Sequence, residues 1–177
     1  DARLHVTGGW PLRPDRPVEV LEVRLKRLEW QLEGKLLLTL TQPVGISLDG
    51  ERIRRVESGT WSGRLGDGGI GSGPDGLVVT HRVRLSELAA FWPQATGWTG
   101  EIAGSVHLPE RWRSGPSGWT LAVTDLRGPH GYTMATCTLR GSWAAVVPEG
   151  GPCRLTRGEE VWELEADGEE VRLRLQN

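Results

Sequence analysis

Lysine is nearly missing from this chain: of 21 basic residues only Lys26 and Lys35 are lysine. Phe, Tyr and Met occur once each and Cys twice, and no uninterrupted apolar run approaches the roughly 20 residues a membrane-crossing helix needs. This chain is therefore not expected to span a membrane as a helix. Acidic residues number 23 and are interleaved with the basic ones, giving a formal net charge of −2 and no basic block. A polyanion-binding protein shows a clustered basic face, so nucleic acid drops out as a partner. The Arg-over-Lys bias, with much Ala, Gly and Pro, fits GC-rich bacterial coding and needs no functional cause.

The chain begins at Asp1 and not at Met, as expected of a processed or truncated product, so any signal peptide or anchor would fall outside this sequence. At 177 residues it can bury about 70% of its unfolded surface, enough for a core without metal or disulfide.

What is present in excess is tryptophan, nine against one Phe and one Tyr. Indoles fill a thin β core, or they lie exposed and stack on sugars or grip apolar ligands. Trp92, Trp98, Trp112 and Trp119 fall close together, flanked by Gly, Thr, Ser and Arg, and are the candidate binding platform.

Period-2 alternation dominates. It runs through Val18 to Leu32 with two slips in phase, and returns in Ile102 to Leu108, Trp119 to Val123, Tyr132 to Trp143, Val161 to Leu164 and Val171 to Leu175. Turn signals separate these runs, among them Asp49-Gly50, Asp75-Gly76 and Asp167-Gly168. The expected fold is all-β: an antiparallel, extended curved sheet or β-sandwich of about ten strands. One short helix is expected over Ser86–Trp92, with Ser86 as N-cap and Pro93 as stop. Residues 1–17, holding Pro11, Pro14 and Pro17, read as an extended N-terminal arm, and 18–177 as a single β domain.

Cys137 and Cys153 flank a hairpin turn expected around Pro148, Gly150 and Gly151, which can bring the sulfurs together. A disulfide there favours the periplasm or another extracytoplasmic compartment; two unrelated thiols are the alternative.

Motifs for chemistry are incomplete. Gly66 to Gly73 is glycine-rich but lacks the Gly-Lys-Ser/Thr ending and a following helix, so it reads as a hairpin connection, not a phosphate loop. His5, His81, His107 and His130 show no paired-ligand spacing, so no metal is expected. No Gly-x-Ser-x-Gly is present, and Glu101, Glu110, Asp125, Glu163 and Glu165 would serve a glycosidase only if two of them faced each other across a cleft. No cofactor and no enzymatic activity are expected.

From Pro43 onward the chain resembles the periplasmic region of the type II secretion system protein N, a relative of the AsmA and TamB group of envelope proteins. The resemblance lies in Gly59-Thr60-Trp61-Ser62-Gly63-Arg64 after a Val-Gly-x-x-Leu-x-Gly stretch, and in Leu85-Ser86-Glu87-Leu88-Ala89 leading into Gly97-Trp98-Thr99-Gly100-Glu101-Ile102-Ala103-Gly104. The strand Gly118 to Leu126 is its third element. It implies a non-enzymatic envelope protein of extended β-sheet that handles lipid or assists a secretion machine, with other envelope or secretion-system proteins as partners. A carbohydrate-binding β-sandwich using the Trp platform is the alternative.

Overall fold

A computed structural model describes residues 2–9, 21–111, 117–142, 145–149, 152–167 and 170–176. Nearly all of them are antiparallel β, and every strand joins one hydrogen-bonded sheet, not the two of a sandwich. Among the described residues there are fifteen strands where the turn signals suggest about ten. Part of the surplus is interruption. The first line of chain is β1 (Ala2–Gly9), which pairs with β2 (Leu21–Leu32). On the other edge of β2 lie both β3 (Lys35–Gln42) and β4 (Val44–Asp49), end to end: Glu29 opposes Thr39 and Leu25 opposes Val44, so the outer line carries one residue more than β2 between these pairs. Thr41 to Pro43 absorb it. Proline lacks the N–H a ladder needs and is tolerated at such a bulge.

The same holds for β5 (Arg52–Glu57) and β6 (Gly59–Ser62), which pair in turn with β4 and β3. Merging such interrupted lines leaves a meander in which each strand pairs with its neighbour in sequence. One expected phase slip is visible as a bulge. Thr7 faces Arg27 while Gly8 faces Leu25, so Lys26 is the extra residue, between the apolar positions Leu25 and Leu28.

Contacts divide the chain into two compact units, residues 1–81 with 106–117, and residues 82–105 with 118–177. The expected boundary between residues 17 and 18 falls outside the described residues; Ala2–Gly9, within the expected arm, form β1. In the first unit, β6 pairs with β7 (Asp67–Gly73), which is followed by β8 (Gly76–Arg84). β7 is the glycine-rich segment expected to be a connection, so that expectation is corrected. The glycines serve packing. Gly68 opposes Trp61, and a Cβ on it would lie 2.4 Å from the indole Nε1 and 2.5 Å from the Thr80 carbonyl.

With that position bare, Trp61 reaches across β7 to His81 on β8, donating its indole N–H to Nδ1 at 3.0 Å. Since indole only donates, the proton of the neutral imidazole lies on Nε2, which donates to the Leu65 carbonyl at 2.8 Å. Leu65 in turn donates its N–H to the carbonyl of Leu37, one of the most buried side chains of this unit. Gly-Thr-Trp-Ser-Gly is thus a packing motif here, clamping the β6–β7 connection.

The N–H of Ile53 on β5 meets the carbonyl of Glu110, just past β9 (Thr99–Pro109), at 2.8 Å, and the Glu110 N–H meets the Asp75 carbonyl at 2.6 Å. Arg52 and Arg111 form a bridge beside them.

The second unit holds the end of β8, α1 (Leu85–Leu88), part of β9, then β10 (Gly118–Arg127), β11 (Tyr132–Ser142), β12 (Ala145–Pro148), β13 (Cys153–Arg157), β14 (Glu160–Asp167) and β15 (Glu170–Gln176). The expected helix over Ser86–Trp92 is shorter and starts earlier. Arg84 takes the N-cap position without a side-chain bond, so Ser86 lies inside the helix, and Pro93–Ala95 form a separate 3₁₀ turn.

The hairpin expected around Pro148 to Gly151 is also displaced. Ser142 pairs with Ala145, and β12 and β13 both run antiparallel to β11 along one of its edges, so no hairpin joins β12 to β13; Gly150 and Gly151 lie outside the described residues. Leu139 opposes Pro148 and Thr133 opposes Thr156, so the outer line carries two extra residues there. This detour lies beside the Cys137–Cys153 disulfide, whose Cα atoms are 4.8 Å apart.

On β10 the apolar phase Trp119, Leu121, Val123 slips to Leu126, and on β11 Leu139, Cys137 slips to Met134. Both strands slip at the same level, so their register is unchanged and the apolar face stays continuous. Asp125 takes up the slip on β10 with φ +50°, a left-handed conformation that side chains with a Cβ resist. Asp125→Gly is expected to retain or slightly raise stability, whereas Asp125→Val costs about 1–2 kcal/mol in urea unfolding.

Candidate functional site

The second unit has two chemically distinct faces. One is ionic: on β13, β14 and β15, Arg154 pairs with Glu163 and Arg174 with Glu165, each at 3.4 Å. Exposed pairs of this kind contribute under about 1 kcal/mol each, so they mark a solvated face more than they hold it together. Glu163 and Glu165, considered as glycosidase carboxylates, therefore face guanidinium partners. Glu101 likewise pairs with Arg82 at 3.1 Å.

The opposite face is apolar. Alternation along a strand puts Cys153 and Leu155 of β13, Trp162 and Leu164 of β14, and Leu173 and Leu175 of β15 on it, directly opposite one another in register. Cys137, Leu139 and Cys153 are its buried centre, with Trp119, Leu121, Val123, Met134 and Leu164 packed around them. Burial falls off toward β15: Leu173 is 57% exposed and Leu175 49%. Large aliphatic side chains left this open on the last strand form an uncovered apolar surface.

An aromatic row borders this face. Trp98 stacks on Tyr132 with centroids 6.0 Å apart, and Tyr132 meets Trp162 at 5.7 Å. The row depends on Gly128, where a Cβ would lie 2.6 Å from the Trp98 ring. The Arg157 guanidinium sits over Tyr132 at 5.2 Å and over Trp162 at 5.6 Å, donates to the Tyr132 hydroxyl at 3.0 Å, and is held by Glu160 at 2.7 Å. Burial of the arginine stem against rings combines cation–π attraction with packing.

The four tryptophans singled out by sequence are placed differently from one another. Trp92 is 54% exposed beside the 3₁₀ turn, Trp98 belongs to the aromatic row, and Trp119 lies against the disulfide cluster and donates its indole N–H to the Ser142 carbonyl at 3.1 Å. Trp112 lies outside the described residues. Sequence reasoning missed Tyr132, Arg157 and Trp162, which come from separate strands and share no local spacing. Leu173 and Leu175 were visible as a strand face, but nothing in the sequence marked them as uncovered.

Among the described residues no three His, Cys, Asp or Glu side chains gather as a metal-ion site would require, and no helix is long and apolar enough to cross a membrane. Fold and site together define an all-antiparallel, disulfide-bonded β protein whose second unit carries one ionic and one partly uncovered apolar face. Comparison with protein-family models, curated proteins and solved structures finds no match.

Proposed function

We propose that this chain is a non-enzymatic, extracytoplasmic accessory or assembly subunit of a bacterial envelope complex, similar in role to the secretion-system protein N. It holds an apolar companion, protein or lipid, against the open face of β13 to β15. The observation that carries this reading is the uncovered Leu173 and Leu175 beside the disulfide-anchored cluster. Two exposed leucines side by side on a strand whose other face is ionic form an apolar patch of the kind that supports an interaction site. The disulfide supports a periplasmic or otherwise extracytoplasmic setting, because such bonds persist in oxidising compartments.

The alternative, a carbohydrate-binding module, draws on the aromatic row. Its rings pack on one another and Arg157 covers Tyr132 and Trp162, which leaves less free ring face for a sugar than a coplanar platform provides. Native mass spectrometry of the chain isolated from the cells that make it tests both, with a gently denatured sample to release small molecules. Co-purifying lipid or companion subunits are expected, and Leu173→Asp with Leu175→Asp is expected to remove them without unfolding the chain, since both side chains are already half exposed. A bare monomer that gains mass with oligosaccharides would overturn the accessory reading.

A further inference from the structure

From the edge of β15 we infer that this strand recruits an extended segment of a partner protein as an additional strand, and that this segment alternates acidic and apolar residues. The inference deepens the accessory-subunit reading by naming the chemistry of the partner. Among the described residues β15 pairs only with β14, so its outer edge ends the sheet. Unpaired N–H and C=O groups along such an edge are a template for strand addition, with side chains at alternate positions supplying specificity.

Charge alternates by strand across the ionic face. Arg154 on β13 opposes Glu163 on β14, and Glu163 and Glu165 oppose Arg174 and Arg172 on β15. At Arg172 and Arg174, which stand between Glu170 and Gln176 in the alternation of β15, the outermost row is therefore basic, and a next strand continues the pattern if it is acidic opposite these two arginines. On the other face the row Leu155, Trp162, Leu175 and the row Cys153, Leu164, Leu173 both end on half-exposed leucines, which an apolar residue of the added strand would cover. A second copy of β15 fits poorly. Antiparallel pairing about Leu173 keeps the leucines on one face but sets Arg172 against Arg174, and like charges directly opposite destabilise a strand pair.

The test uses the whole disulfide-bonded chain and three fluorescent nine-residue peptides: one alternating Glu with Val and Leu, one with Lys in place of Glu, and a scramble that breaks the alternation. Anisotropy is expected to show the acidic peptide binding at least about tenfold more tightly than the lysine peptide, with a preference that weakens as salt rises. Amide hydrogen exchange should slow at β15 on binding. The double variant Arg172→Glu, Arg174→Glu is expected to reverse the preference toward the lysine peptide, a gain that an unfolded variant could not produce. Equal binding of all three peptides, an unreversed preference, or self-association protecting β15 would each overturn the inference. The peptides read the strand edge alone, so the edge can fail this test while co-purification through the apolar face still stands, and the reverse.

Discussion

Replacing Cys137 and Cys153 together by alanine is expected to lower the stability of the second unit by about 3 kcal/mol, the scale for a bond closing a loop of this length. The two cysteines are 16 residues apart and belong to strands on adjacent lines of the sheet. The bond also holds more than a loop. Cys153 is 1% exposed and Cys137 4%, and among the described residues they form the centre of a cluster with the buried Leu139. Urea unfolding of the oxidised chain against the double alanine variant measures the loss, and hydrogen exchange over β11 to β14 localises it. A loss below about 1 kcal/mol would mean that the detour between β12 and β13 is held by the strand pairing and not by the bond.

Gly68→Ala is expected to cost about 3 kcal/mol in the first unit, in the range of severe overpacking. The added methyl meets the Trp61 indole, which could move, but also the Thr80 carbonyl, which belongs to the backbone of the adjacent strand and cannot move without breaking pairing. Displacing the indole removes its hydrogen bond to His81, and with it the alignment of Nε2 on Leu65. The indole N–H resonance of Trp61 should shift in Gly68→Ala. His81→Phe should reproduce the shift with a smaller stability loss, because it removes the acceptor while leaving the strands unstrained. If Gly68→Ala leaves both stability and resonance unchanged, the glycine is not the reason Trp61 crosses β7.

The all-β class was legible because alternation is written directly into the residues that form β2, β9, β10, β14 and β15. The β14–β15 hairpin follows from Asp167-Gly168 between two strictly alternating runs, and Asp167 does oppose Glu170. The strand β7 was illegible for a physical reason: a run of glycine carries no apolar period, and its strand role comes from neighbours that need the space. The disulfide was legible from the positions of the two cysteines, but through the wrong turn. Nothing in the sequence distinguishes a reversal at Gly150-Gly151 from extra residues carried along one strand edge while the chain reverses earlier. The aromatic row escaped because Trp98, Tyr132 and Trp162 are brought together by register across strands. Only Trp98 sits in a local tryptophan cluster that draws notice.

Neighbour-by-neighbour pairing along the sheet has a consequence for how the molecule is made. Each strand can dock on the one synthesised immediately before it, so the ladder can grow as the chain emerges. The seam at β5 departs from that order. Among the described residues Ile53 and Arg52 meet Glu110 and Arg111, far downstream, so this end of the β5 edge stays open until β9 has passed. During that interval the growing chain exposes an edge at which a chaperone, or a wrong strand, could bind.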